Sequence, residues 1–217
     1  MRVLIALLST LLLSGCLTTD PLSGKNDPKS PWWDLGFTEP NYMEVWVEDS
    51  AVENINGKLF RRTGGGTAAG GQPEDNRESA RGWTGVGVGG KSVIGADLPK
   101  RIFVRWKSVV EPQAYQVWID IPEDARQNMR RATDRRCSKT PEQTASYMAS
   151  VNLGLAPGGI VQVWVRDECR HPIKVARVQA EIEPLGPHLG KSNGHYYPLS
   201  ENSKRYIEKY GIPYGSW

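Results

Sequence analysis

Runs of alternating apolar and polar residues, each bounded by turn-forming residues, most constrain what this chain can fold into. In "YMEVWVEDSAV", residues 42–52, Met43, Val45 and Val47 form one row, and Tyr42, Glu44, Trp46 and Glu48 form the other. Period two is the repeat of a half-buried strand, because successive side chains leave opposite faces. "INGKLF" carries Asn56-Gly57, a hairpin signal, since both central positions of such a turn favour positive φ. "RIFVRWKSVV" (101–110) and "AYQVWIDI" (114–121) read as two strands joined around Glu111-Pro112. "ASYMASVNLGL" and "GIVQVWVRD" flank Ala156-Pro157-Gly158-Gly159, a further hairpin, and "IKVARVQAEIE" (173–183) reads as a final strand. Residues 63–98 hold two glycine clusters and read as loop. Two segments have helical character. "PEDARQNMRRATDRR" (122–136) opens on Pro122 and two acids and closes on arginines, as the helix dipole favours. "SENSKRYIEKYG" (200–211) has Ser200 as cap and Gly211 as stop. The expected fold is mainly β, an antiparallel β-sandwich-like body with two short helices.

The amino terminus has a different character. Val3 to Leu13 is apolar apart from Ser9 and Thr10. That is too short to span a bilayer, which takes ~20 residues, and has the ~7–15 residues of a signal-peptide core. Leu13-Ser14-Gly15-Cys16 resembles a bacterial lipobox. The resemblance implies a signal peptide at 1–15, cleavage before Cys16, and lipidation of that thiol and of the new amino terminus, palmitate included. Several acyl chains anchor stably, because each buried CH₂ contributes ~0.8 kcal/mol and one chain alone is marginal. Leu17, not Asp, follows the cysteine; by resemblance to lipoprotein sorting this favours the outer membrane, facing the periplasm. Residues 16–41, rich in Pro, Ser, Asp, Lys and Gly, read as a tether, with Trp32-Trp33 able to dock onto the body or the membrane interface. Residues 42–217 read as a single β-rich domain.

Two further cysteines remain, Cys137 and Cys169. In an oxidising compartment a disulfide is their natural state, contributing about 3–4 kcal/mol in the chain-entropy model. The alternative is two separate buried thiols. Neither cysteine sits in a CxxC, and the histidines (His171, His188, His195) lack ligand spacing, so no metal site is expected. The 27 basic and 24 acidic residues contain no basic block, which argues against nucleic acid.

Three motif matches fail their context tests. "GVGVGGKS" (85–92) fits the phosphate loop G-x-x-x-x-G-K-[ST], and Gly85, Gly87 and Gly90 fit G-x-G-x-x-G. Both need a buried strand before and a helix after, and "RESARGWT" and "VIGADLPK" supply neither. No nucleotide and no cofactor is expected. "GKSNG" (190–194) fits the nucleophile elbow, but "PLGPHLG" enters it in place of a strand, so Ser192 with His195 reads as surface loop. The acidic pairs Glu48/Asp49 and Asp167/Glu168 read as strand-end charge, since adjacent strand residues point to opposite faces.

Trp46, Trp106, Trp118 and Trp164 each fall mid-strand, and Trp46 and Trp118 alternate with polar residues opposite the apolar row. Such rings are either half-buried under another segment or anchors of a protein-binding face.

"LPKRIFVRWKSVVEPQAYQVWIDIPEDARQNM" (98–129) and "VNLGLAPGGIVQVWV" (151–165) resemble a family of bacterial lipoproteins known only as a domain of unknown function. The shared features are an R-W-x-S strand, an I-P helix start and a G-L-A-P-G-G-I-V turn before a W strand. The resemblance spans roughly residues 42–183 and brings no catalytic residues. It implies a non-enzymatic protein. Some such lipoproteins are encoded beside antibacterial type VI secretion effectors, phospholipases among them, and act as immunity proteins. The expected partner is therefore a secreted toxin, with membrane contact through the lipid; a structural or assembly lipoprotein of the envelope is the alternative. Within the glycine-rich segment 61–90, Arg62, Glu74, Asp75, Arg81 and Trp83 are the expected contacts. Loops held on a sheet commonly carry recognition, and Arg and Trp dominate interface energy.

Overall fold

The computed structural model describes residues 31–70, 81–87, 90–132, 150–166 and 172–217. Cys16, Cys137, Cys169, Glu74 and Asp75 lie outside the described residues. In chain order the elements are β1 (Asp34–Thr38), β2 (Val45–Asn54), β3 (Leu59–Arg61), β4 (Gly66–Thr67), β5 (Lys91–Ser92), β6 (Pro99–Ser108) and β7 (Gln113–Asp120). They continue with α1 (Glu123–Ala132), β8 (Ser150–Ala156), β9 (Ile160–Arg166), β10 (Ile173–Gln179), β11 (Glu181–Ile182) and α2 (Glu201–Tyr210).

Two sheets pack face to face, as the alternating pattern requires. One runs β10-β9-β8-β1-β5; the other runs β11-β7-β6-β2-β3, with β4 also on β2. All pairs are antiparallel except β1 with β8. Leu153, Leu155, Val161 and Val163 of the five-stranded sheet meet Val45, Val52, Ile102, Val104, Trp106 and Ile119 of the other in one core. Each such side chain contributes roughly 1.5–3 kcal/mol when fully buried. Helix α1 closes the core with Ala125 and Met129, four residues apart on one stripe. The β8–β9 connection is tight: Gly158 and Gly159 both take positive φ, and a Cβ at Gly159 would come within 2.9 Å of the Tyr115 ring.

The hairpins at Asn56-Gly57, Glu111-Pro112 and Ala156–Gly159 form as the turn chemistry predicts, and α2 starts and stops at Ser200 and Gly211. Four features depart from the sequence reading. Residues 63–98, read as loop, carry the short strands β4 and β5, paired with β2 and β1. The folded body begins before Tyr42: β1 lies inside the stretch read as tether and pairs along its length with β8, and Trp33 is buried with its Nε1 donating to the Asp97 carbonyl at 3.2 Å. The strand read over 173–183 is two strands. Ala180 N donates to the Gly159 carbonyl, and beyond it the chain leaves β9 and pairs with β7 in the other sheet. Strand β2 carries a bulge, because Val47 pairs with Trp106 but Asp49 pairs with Arg105, leaving Glu48 as the extra residue.

Candidate recognition surface on the six-stranded sheet

The outer face of the six-stranded sheet is built by residues that alternate with the core row. At one end the carboxy-terminal segment, residues 184–217, lies over it. Trp46 takes the ring of Tyr197 edge-on at 5.0 Å. Lys107 is buried, its Nζ 3.6 Å from the Tyr197 ring centre and 3.2 Å from His188 Nε2. Burial lowers the pKa of Lys107, against the raising effect of the Glu48 charge. The bulge leaves Glu48 on this face beneath that segment, where it accepts the His188 backbone N–H at 2.8 Å and the Arg105 Nε at 3.3 Å. Glu44 accepts from Ser203 Oγ at 3.1 Å, and Tyr206 of α2 stacks on Tyr42 at 4.6 Å. Glu111 fastens the chain end: it accepts from Tyr214 Oη at 2.9 Å, Tyr115 Oη at 3.3 Å and Gly158 N at 2.8 Å. Burial, followed by that carboxylate, pushes the Tyr214 phenol up to about 12.

The other end of the same face is open. There Arg61, Ala51, Phe103 and Trp118 stand directly opposite one another on β3, β2, β6 and β7, one row across four strands. Ala51 is 6 % exposed, whereas Leu59 and Trp118 are 41 % and 40 % exposed, so the row is a trough with a small-residue floor. The depression holds about 450 Å³ and is lined by Asp49, Ala51, Leu59, Arg61, Arg62, Phe103, Arg105 and Trp118. Arg101 stands 4.5 Å over the Trp118 ring and holds Glu53 at 2.6 Å. The hydrogen bonds from Arg101, then Lys100, keep the Glu53 carboxyl below its ordinary pKa. Arg105 is paired to Glu48. Among the described residues no carboxylate pairs with Arg61 or Arg62.

The structure does not bring the described contacts expected from sequence onto one surface. Arg62 lines the trough, in the left-handed region at φ 55°. Trp83 lies against the other sheet, half-buried and edge-on to Trp164 at 5.2 Å. Gly154 makes room for that pair; a Cβ there would come within 2.4 Å of the Trp164 ring and 2.8 Å of Trp83. Trp83 is thus part of the packing against β9. Gly82 N donates to Ser216 Oγ at 3.0 Å, which stitches the neighbouring backbone to the chain end, while Arg81 is exposed beside Tyr206. Sequence reading missed Ala51, Phe103 and Arg105, whose alignment depends on cross-strand register.

The discounted motifs sit as their contexts imply. Lys91-Ser92 is β5, with Ser92 Oγ donating to Asp34 at 2.7 Å, and no helix follows. Ser192 Oγ donates to the Pro187 carbonyl within a run of turns, and His195 is exposed. Among the described residues no group of three or more His, Cys, Asp and Glu is placed to hold a metal. A family model described as "Protein of unknown function (DUF2931)" matches residues 19–215. Neither the curated proteins nor the solved structures contain a match.

Proposed function

The chain belongs to the DUF2931 family, and we propose that it is a non-catalytic lipoprotein that binds and neutralises a secreted antibacterial effector at the periplasmic face of the membrane. In this reading Cys16 holds the lipid, the tether sets the body off the membrane, and the body occludes the effector. The effector is one delivered by type VI secretion, with a phospholipase as the favoured class. The observation that carries the reading is the open row Arg61–Ala51–Phe103–Trp118. The carboxy-terminal segment covers the other end of that face, so a half-exposed tryptophan under Arg101, in a row that ends on Arg61, is a surface left for a partner. Tryptophan and arginine are the residues that most often dominate interface energy, above all around a desolvated centre.

The test is protection. The candidate effector is taken from the genes flanking this one and is expressed in the periplasm of a sensitive bacterium with and without the lipoprotein. Survival only with the lipoprotein, lost in Cys16→Ser, supports the proposal. Effector killing that the wild-type lipoprotein leaves untouched would falsify it. An envelope defect on deletion, in a strain carrying no effector, would instead favour an assembly role.

A further inference from the structure

The trough has a chemistry more specific than a sticky face. Its central row runs from a guanidinium through a methyl floor to two aromatic rings, spanning about 14 Å at the ordinary strand spacing of ~4.8 Å. The rows on either side carry charges of both signs, Asp49 among them. On one side Arg101 and Lys100 share Glu53, and on the other Arg105 is held by Glu48. At the mouth Arg61 and Arg62 are exposed and no carboxylate pairs with them among the described residues; set against Asp49 on the same lining, they leave the trough an excess of positive charge. A guanidinium so placed fits a planar carboxylate by two parallel hydrogen bonds. The floor next to it asks for an apolar side chain, because Ala51 and Phe103 offer no hydrogen-bonding group.

We propose that the trough seats an acidic segment of the partner, with an aromatic or branched aliphatic side chain over Ala51 between Phe103 and Arg61, and carboxylates on Arg61 and Arg62. The site is concave: its floor is recessed between the more exposed Leu59 and Trp118. A protruding chain segment fills such a shape, while a flat bilayer surface meets only the rims. The inference takes its partner from the effector-binding reading, but its chemistry is testable apart from it.

The processed, lipidated chain in detergent is titrated with three probes: the effector encoded beside it; a blocked peptide, acetyl-Gly-Phe-Asp-Glu-Gly-amide, with its Phe-Lys-Lys counterpart; and soluble glycerophosphoglycerol, the headgroup of phosphatidylglycerol without its acyl chains. Two variants accompany the wild type, Arg61→Glu with Arg62→Glu to reverse the mouth, and Ala51→Leu to fill the floor. A melting curve for each keeps folding apart from binding, and whichever variant stays folded decides. The proposal expects the acidic peptide to bind in preference to the basic one. It also expects effector affinity to fall roughly tenfold or more in each folded variant. If the effector binds and neither variant weakens it, the trough is not the docking site, although the immunity reading stands. If the effector does not bind but the acidic-peptide preference persists and is lost in the variants, the trough chemistry is upheld and the effector assignment falls. Headgroup binding that the variants abolish, with no peptide preference, overturns the acidic segment in favour of a membrane surface.

Discussion

One sheet face carries two surfaces that differ in how they treat their polar and aromatic side chains. At the covered end Trp46, Glu48 and Lys107 all find partners in residues 184–217. A buried ammonium and carboxylate are tolerable only because ring, imidazole, backbone N–H and guanidinium surround them; unpartnered, each burial costs several kcal/mol. At the open end Trp118 and Arg61 have the same strand environment but no covering segment. Alternation therefore specifies which residues leave the core, and the long-range return of the chain decides which of them face water.

The covered end should be where the fold is most easily broken. Tyr206→Ala removes a buried ring stacked on Tyr42 and should cost about 3–5 kcal/mol, read as a fall in unfolding free energy in urea. A loss below about 1 kcal/mol would mean that α2 contributes little to the fold.

Glu39 gives that end a pH signature. Its carboxyl accepts the Val45 N–H at 2.6 Å, and burial, opposed by that bond and aided by the Glu44 charge, pushes its pKa from 4.5 up to about 8. The folded state therefore keeps this proton at pH values where the unfolded chain has lost it. The associated stability is fully present below 4.5 and is lost as pH rises toward about 8. The change is on the order of 3–5 kcal/mol from this group alone. Glu39→Gln should flatten melting temperature against pH over that window, and an unchanged slope in the variant would remove Glu39 as its source.

The other sheet supplies a further covered surface to set against the trough. Gly154→Ala drives a methyl into the Trp83–Trp164 pair and should destabilise by about 1–3 kcal/mol. Melting at the wild-type temperature would show that Trp83 lifts away freely and is available to a partner after all.

How much of this could be read from the chain alone depends on the range of each interaction. Ser200, Gly211, Asn56-Gly57 and Pro157-Gly158-Gly159 act locally, so both ends of α2 and two hairpins were legible. Strand β1 was not: five residues in a Pro- and Asp-rich stretch show little alternation, and Trp32-Trp33 was the only hint of docking. The break at Ala180 was hidden because "IKVARVQAEIE" keeps its alternation through the change of sheet. The Glu48 bulge left a faint trace, since Val45 and Val47 fall on odd positions and Val52 on an even one. Of the candidate site, Arg62 was legible as an arginine in a loop. The line from Arg61 to Trp118 was not, because it joins residues from four strands whose register no local pattern encodes.

The smallest expected effect on stability falls in the open end. Trp118→Ala loses only a half-exposed ring with Phe103 and Arg101 beside it, and should shift unfolding free energy by less than about 1 kcal/mol. The same change should lower effector affinity by about 2 kcal/mol, measured by calorimetric titration. Equal losses in stability and affinity would erase the distinction between the two ends.

Side-chain oxidation by hydroxyl radicals compares the two ends in one experiment, because Trp118 at 40 % exposure and Tyr197 at 44 % start from nearly the same accessibility. The processed lipoprotein is footprinted alone and with the effector encoded beside it. Recognition through the open end predicts that Trp118 and Leu59 become shielded while Tyr197 and Tyr214 oxidise as before. Shielding of Tyr197 and Tyr214 with Trp118 unchanged would contradict it and place the partner on the carboxy-terminal segment.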